Sequence, residues 1–366
     1  MGVLSGVRVL EVEGLGPAPF AAMMLADMGA EVIVVHRKGG KPAPGMPERS
    51  ILDRGKRSIE LDLKEDGDRD IFLKLAARSD ALIEGFRPGV MERLGLGPAP
   101  CHAVNPALVF ARMTGWGQTG PLAQAAGHDL NYIAMSGALW YASPPGAAPM
   151  TPATLVGDIG GGALYLVSGL LAGLLQARAT GQGTVVDAAI YDGSAHMMNL
   201  LMALRQSGAM PEARGEGLLD GPHWSRSYEC ACGGYVSVQC LEPQFYAQFL
   251  KILALDTDPA FAAQYERAQW PALTARLAQI FIKQTRDSWA KRFLGTDACV
   301  APVLSPDEAA RHEMNAAREV WRDGAQGLQA APAPRFDGQT GWVPPRPPAR
   351  GADGPQILKE LSDRKV

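Results

Sequence analysis

The sequence predicts an α/β protein with a large, doubly wound, mostly parallel sheet domain and a smaller α+β domain. Three observations carry that expectation. Strand-like apolar runs alternate with helix-length segments from Val7 to Ile190. A polar, Gly-rich stretch from Gly208 to Gly221 then breaks the pattern before a second compact region begins. At 366 residues and 47% hydrophobic composition, the chain also exceeds the roughly 250 to 300 residues at which single cores stop growing.

In order, VRVLEVEG alternates as a strand, PAPFAAMMLADMGA follows as a helix with prolines in its first turn, and EVIVVHR reads as a fully buried strand. This β-α-β unit invites a dinucleotide reading. However, Gly14-Leu15-Gly16-Pro17-Ala18-Pro19 puts proline where the third glycine of G-x-G-x-x-G belongs, and His36, Arg37 and Lys38 stand where a nicotinamide site would carry an acid. A nicotinamide cofactor is therefore disfavoured. Positive charge at that strand end suits a phosphorylated ribose or a merely solvated edge.

The alternation continues through RSIELDL, DIFLKLAARS, DALIEGF, VMERLGL and ALVFARMTGW. A Pro- and Gly-rich loop (SPPGAAPMTPATL) leads to VGDIGGG, an apolar helix and the strand TVVDAAI. The run from Gly160 to Ala177 is slightly short for a bilayer span, Gly-rich and bracketed by Asp158 and Arg178, so it reads as a buried helix. Two short strands around Gly233-Gly234 and a helix open the second region, and residues 271–294 look amphipathic. The expected division is a large domain over 1–188, a linker over 189–222, a small domain over 223–320 and a linker over 321–329. The tail, 330–366, is Pro-rich and expected to run extended and pack back on the large domain.

A formal charge of −3, with both signs well mixed, argues against a nucleic-acid surface, so any anionic ligand needs local arginines. Five cysteines, an odd number, and no cationic-then-apolar leader point to a reducing cytoplasm. Cys230-x-Cys232 with Cys240 lacks zinc-knuckle spacing, and no metal is expected.

Three acid-base candidates stand near special backbone: His128 and Asp129 behind Gly127, Asp158 at the Gly-rich helix start, and Glu242 before Pro243. Each has a plain reading, for Asp129 or Asp158 a helix cap and for Glu242 a favourable first-turn acid. Together they say more, because His128 and Asp158 both fall at helix starts on loops that follow strands, the edge where open α/β sheets bind ligands. Two opposed bases are what removal of a proton from one face of a carbon and its return to the other would require. Backbone N–H groups at the start of the helix after His128 could stabilise an enolate oxygen.

The motifs GHDLNYIAMSGAL, VGDIGGG, RGKRSIELDLK, EGFRPGVMERLGLGP, ARMTGWGQTGP, CLEPQFY and TDACVAPVL together resemble the racemase branch of the class III CoA-transferase superfamily, from about Leu4 to about Leu304. The resemblance implies that His128 and Asp158 carry out a 1,1-proton transfer at C2 of a 2-methylacyl-CoA thioester, with Glu242 orienting His128. It also implies CoA contacts at Arg37, Leu61, Lys64, Arg87 and Arg93, and a thioester lined by Gly127 to Tyr132, with Asp129 offering its N–H to the thioester oxygen. No separate cofactor is implied, since the substrate carries CoA. The resemblance further implies an interlocked homodimer, with Glu242 reaching His128 from the other chain. A CoA-transferase using Asp158 as nucleophile remains the alternative, and a non-catalytic acyl-CoA binding protein a second. Met197, Met198 and Met202 could face an acyl chain or simply the core. His36 and Trp140 receive no role, and the C-terminal DRKV lacks a peroxisomal signal, which again suits the cytoplasm.

Overall fold

The computed structural model describes residues 2–42, 45–338 and 340–363, which form two compact units. The larger is built from residues 2–139, 151–197 and 312–363, the smaller from 140–150 and 198–311.

In the larger unit the chain runs β1 (Arg8–Val12), α1 (Pro17–Asp27), β2 (Glu31–Arg37), β3 (Arg57–Leu61), α2 (Asp66–Ala76), β4 (Ala81–Glu84), α3 (Val90–Arg93), α4 (Pro98–Val104) and β5 (Val109–Thr114). It continues through α5 (Asp129–Ser136), a wide π-helical segment (Leu155–Ala163), α6 (Leu164–Thr180), β6 (Val185–Ala189) and α7 (Ile190–Met197). The six strands are all parallel in the order β3-β2-β1-β4-β5-β6. The order reverses at β1 and β4, which opens a crevice at the carboxyl edge there. Central strands are buried on both faces, as parallel sheets require, and this explains the near-continuous apolar runs of β2 and β4.

The long apolar run is not one regular helix. Its first part is the π-helical segment, and α6 follows it, burying Leu166, Leu170 and Leu174 against β5 and β6. Taken as a whole, Leu155–Thr180 is long and apolar enough to cross a membrane by length and composition, yet one face lies in this sheet core while Leu164 and Leu175 are exposed.

The smaller unit holds α8 (Asn199–Gln206), β7 (Ser225–Glu229), β8 (Tyr235–Gln239), α9 (Pro243–Leu253), α10 (Trp270–Phe281), α11 (Arg286–Phe293), β9 (Val300–Pro302) and α12 (Pro306–Arg311). Its three strands are antiparallel, and its core is a cluster of aromatic rings that includes Trp224, Phe249, Phe281 and Trp289. The amphipathic stretch over 271–294 is two helices, broken between Phe281 and Arg286. Within this unit His223 is fully buried, its Nε2 lying 2.7 Å from the Tyr246 hydroxyl, which itself donates to the Phe261 carbonyl. Burial and then Arg226 push the His223 imidazole down to about 4.

Several segments differ from the sequence expectation. Residues 140–150, expected in the large domain, group with the smaller unit, and 312–320, expected in the small domain, group with the larger. Residues 189–222 hold two whole helices, α7 and α8, rather than a bare linker, and Ile190, Gly193 and Ser194 of α7 are buried in the larger unit. Residues 321–329 are not a linker but most of an antiparallel hairpin, β10 (Trp321–Gly324) and β11 (Gly327–Ala330), preceded by α13 (Glu313–Arg318). The tail is not extended throughout: it ends in α14 (Gly354–Asp363), which buries Ile357 in the core beneath β3 and fixes Glu360 to Arg57 at 2.8 Å. The paired prolines Pro344-Pro345 and Pro347-Pro348 hid that helix, which starts only after them and Gly351.

Candidate active site

His128 occupies the N-cap of α5 in an extended conformation (φ −137°, ψ 172°), and its N–H donates to Asn131 Oδ1 at 3.0 Å. Its side chain is exposed. Asp129 is therefore the first helical residue rather than a cap of its own helix. As such, its N–H has no acceptor inside α5 and is left for something else.

The buried carboxylate of Asp129 serves a different helix. Its Oδ1 accepts the Asp158 N–H at 2.9 Å and its Oδ2 the Thr154 N–H at 3.3 Å. Those are orphan donors at the start of the π-helical segment, where a negative charge also meets the positive end of the helix. Gly157 makes the approach feasible, since a Cβ there would lie 2.4 Å from Asp129 Oδ1. Asp158 is consequently not the helix cap that the local sequence suggests. Thr154 holds that position in the left-handed region (φ 64), and Asp158 projects from the first turn.

The Asp158 carboxyl is pushed up to about 6, first by burial and then by the charge of Asp129, while His128 acts in the opposite sense. Burial and the Asp158 charge also raise the Tyr132 phenol, with Arg87 opposing. His128, Asp129, Asp158, Tyr132 and Arg87 thus share one electrostatic neighbourhood. Tyr132 is buried, and its hydroxyl donates to the Gly127 carbonyl, holding the turn that leads into His128. Met197 borders the same segment, its Cε lying 3.3 Å from where a Cβ on Gly160 would be.

A cavity of about 530 Å³ opens over the carboxyl ends of β1, β2 and β3. That volume suits a small organic ligand. Its walls carry Arg37, Leu61 and Lys64, together with Phe86, Val90 and Leu94 from around α3. Arg87 and Arg93 belong to the same stretch and are exposed, but neither is among the lining residues. Gly16 joins the two places: it lines the cavity, and a Cβ on it would sit 3.7 Å from Asp158 Oδ2. Glu13, His36 and Arg350 also line the cavity, and sequence reasoning assigned none of them a function. Glu13 stands just past a strand end, which was a usable signal, whereas Arg350 offered none.

Glu242 lies in the smaller unit, exposed, at the N-cap of α9. Trp140, in that unit too, donates to the Glu212 carbonyl at 2.7 Å and stacks with Arg214, which makes it a loop staple. All five cysteines are free; Cys230 and Cys240 are buried, and Cys232 and Cys299 exposed. Among the described residues no group of three or more His, Cys, Asp or Glu is placed to hold a metal ion.

Residues 4–354 match the family model described as CoA-transferase family III. The chain is 40% identical over 363 residues to a mouse protein named alpha-methylacyl-CoA racemase, covering 98% of this chain and 93% of that one. A human protein of the same name is 38% identical over the same shares. Among solved structures, a CAIB/BAIF family protein from Brucella suis superposes with a TM-score of 0.83 at 26% identity, covering 98% of this chain and 99% of that one.

Proposed function

The chain belongs to CoA-transferase family III, and from that premise we propose that it interconverts the 2R and 2S epimers of 2-methylacyl-CoA thioesters. The observation that carries this reading is the pairing of His128 with an Asp158 carboxyl held near 6. A carboxyl of ordinary strength would be a poor proton donor at neutral pH, whereas one near 6 is protonated often enough to deliver a proton and ionised often enough to take one. His128 removes the C2 proton from one epimer, the enolate oxygen lies against the free N–H groups that open α5, and Asp158 returns a proton from the other face. The roles reverse for the other epimer. Asp129 works mainly by holding the Asp158 backbone and raising its carboxyl.

In this scheme the cavity takes CoA, with Arg37 and Lys64 toward its phosphates and Arg87 and Arg93 guarding the approach. Guanidinium suits phosphate because its donors are planar and permanently charged. CoA arrives with the substrate, and no separate cofactor or metal enters. We assign Glu242 to the orientation of a His128 from a second copy of the chain, which makes the working form a homodimer. Mixing His128→Ala chains with Glu242→Ala chains tests that: activity recovered in the mixture supports shared sites, and none recovered removes Glu242 from this role. The free thiols accord with a reducing cytoplasm.

The deciding experiment is incubation of a single epimer of a 2-methylacyl-CoA in D2O. Deuterium entering C2 with loss of optical purity supports racemisation. Transfer of CoA to an added carboxylate, with no exchange, would replace it with a transferase in which Asp158 attacks the thioester. Absence of both leaves a binding protein.

A further inference from the structure

The C-terminal tail reaches the cavity at one point, and what it does there concerns Arg37. Arg350 forms a two-pronged ion pair with Glu13, Nη1 to Oε1 at 2.5 Å and Nη2 to Oε2 at 2.8 Å. Glu13 Oε2 also accepts the backbone N–H of Arg37 at 2.9 Å. From the other side Arg350 Nη2 donates to the Arg37 carbonyl at 3.2 Å. The peptide groups on both sides of Arg37 are therefore held by one carboxylate–guanidinium pair.

The surroundings leave this pair little freedom. A Cβ on Gly40 would lie 2.8 Å from the Arg37 carbonyl oxygen and 3.0 Å from Arg350 Nη2, so only glycine fits where the chain turns after β2. The next tail residue, Gly351, donates its N–H to Ser58 Oγ at 2.8 Å, and the same hydroxyl lies 2.8 Å from His36 Nδ1. The Ser58 hydroxyl, with one proton to give and two lone pairs, bonds both Gly351 and His36, which gives the buried His36 a structural partner and anchors the tail beside Arg350. Burial opposes ionisation of Glu13, but its bonds from Arg350 and from the Arg37 N–H outweigh that and hold its carboxyl below the usual range.

The arrangement has an electrostatic consequence. Among the described residues the Arg37 guanidinium has no carboxylate partner. Glu13 is bonded to Arg37's own backbone and would be a carboxylate at hand for it, but both oxygens are engaged by Arg350. The tail thus supplies a second arginine that satisfies the local acid, leaving the first one's charge available.

We propose that Arg350 and Glu13 form a positioning clamp that aims Arg37 into the cavity and keeps its charge free for a phosphate of CoA. Arg350 is a positioning residue: it acts through Arg37. The idea rests on the cavity being the CoA site, and the test separates the two. Binding of CoA itself, with no acyl group, is measured by titration calorimetry for the wild type and for Arg350→Ala, Arg37→Ala and the double variant. CoA is expected to bind the wild type, and Arg350→Ala to weaken binding about tenfold, a single charge-assisted contact's worth. In the Arg37→Ala background the same change should cost less than about twofold, because the residue it acts through is gone. In turnover the loss should fall on KM rather than kcat.

A wild type that binds no CoA would overturn the assignment of the cavity. A wild type that binds CoA together with an Arg350→Ala variant that binds equally well would overturn the clamp alone, and so would a full tenfold loss in the Arg37→Ala background. Should Arg350→Ala fail to fold, Glu13→Gln and Arg350→Lys carry the test. Glutamine cannot take the two-pronged pair and lysine cannot make it, so each should weaken CoA by a smaller factor that again disappears without Arg37, and a loss that persists without Arg37 counts against the proposal.

Discussion

The two units are packed by opposite means. Around the catalytic candidates the larger unit uses small residues: Ala18, Ala21, Ala22, Ala111 and Ala163 are buried there, and Gly157 lets a carboxylate touch backbone. The smaller unit is filled with rings, with Phe249 stacked 6.0 Å from Phe293 and 6.3 Å from Phe281 and Tyr246. Small residues bring backbone N–H groups within reach of charged side chains, so the larger unit can hold titratable groups in shifted states. Rings bury more apolar area per residue and fix an interior, but they leave polar atoms few places to sit. Chemistry should therefore be fragile in one unit and stability in the other.

The largest expected effect is on chemistry. His128→Ala should slow C2 deuterium exchange by about 10² to 10⁴-fold, the usual worth of a general acid-base group, while its denaturation midpoint stays close to wild type because the side chain is exposed. Near-normal exchange would end the assignment of His128. Next, Phe249→Ala should cost about 3 to 5 kcal/mol in chemical denaturation, as removal of a fully buried ring does. A loss under about 1 kcal/mol would mean that the aromatic cluster is not what holds its unit.

The third expectation concerns acid. His223 titrates near 4 in the folded chain against an ordinary 6.5, so as pH falls the unfolded chain takes up this proton first. Its contribution is intact above about 6.5 and is lost progressively down to about 4, roughly 3 kcal/mol in all. Urea titrations at several pH values should show that slope in the wild type and a shallower one in His223→Gln. Equal slopes would shift the acid sensitivity away from the smaller unit.

The smallest effect returns to the site. Asp129→Asn keeps an acceptor for the Asp158 N–H but removes one charge that raises the Asp158 carboxyl, so the acid limb of the kcat/KM profile should move to lower pH by up to about one unit. Movement to higher pH would show that Asp129 does not act on Asp158 through its charge.

Much of this was legible in the chain. Strand and helix alternation announced the parallel sheet, and His128 stands, as expected, at a helix start after a strand; Asp158 was expected on a loop after a strand too, but its segment follows α5. The tail helix was hidden by the prolines before it, and the bend at 282–285 by an amphipathic pattern that runs across it. Asp129 was read from its neighbours in sequence, whereas its carboxylate answers to donors 25 and 29 positions away.

By itself, then, the sequence determined the order of the elements and the kinds of group at the ends of the strands, since those follow from periodicity and backbone preference over a few residues. Only the tertiary structure decided which charge meets which. Asp129 holds Asp158, and Arg350 holds Glu13 from 337 positions away. Such pairings depend on distance and on exclusion of water, and no local pattern carries either.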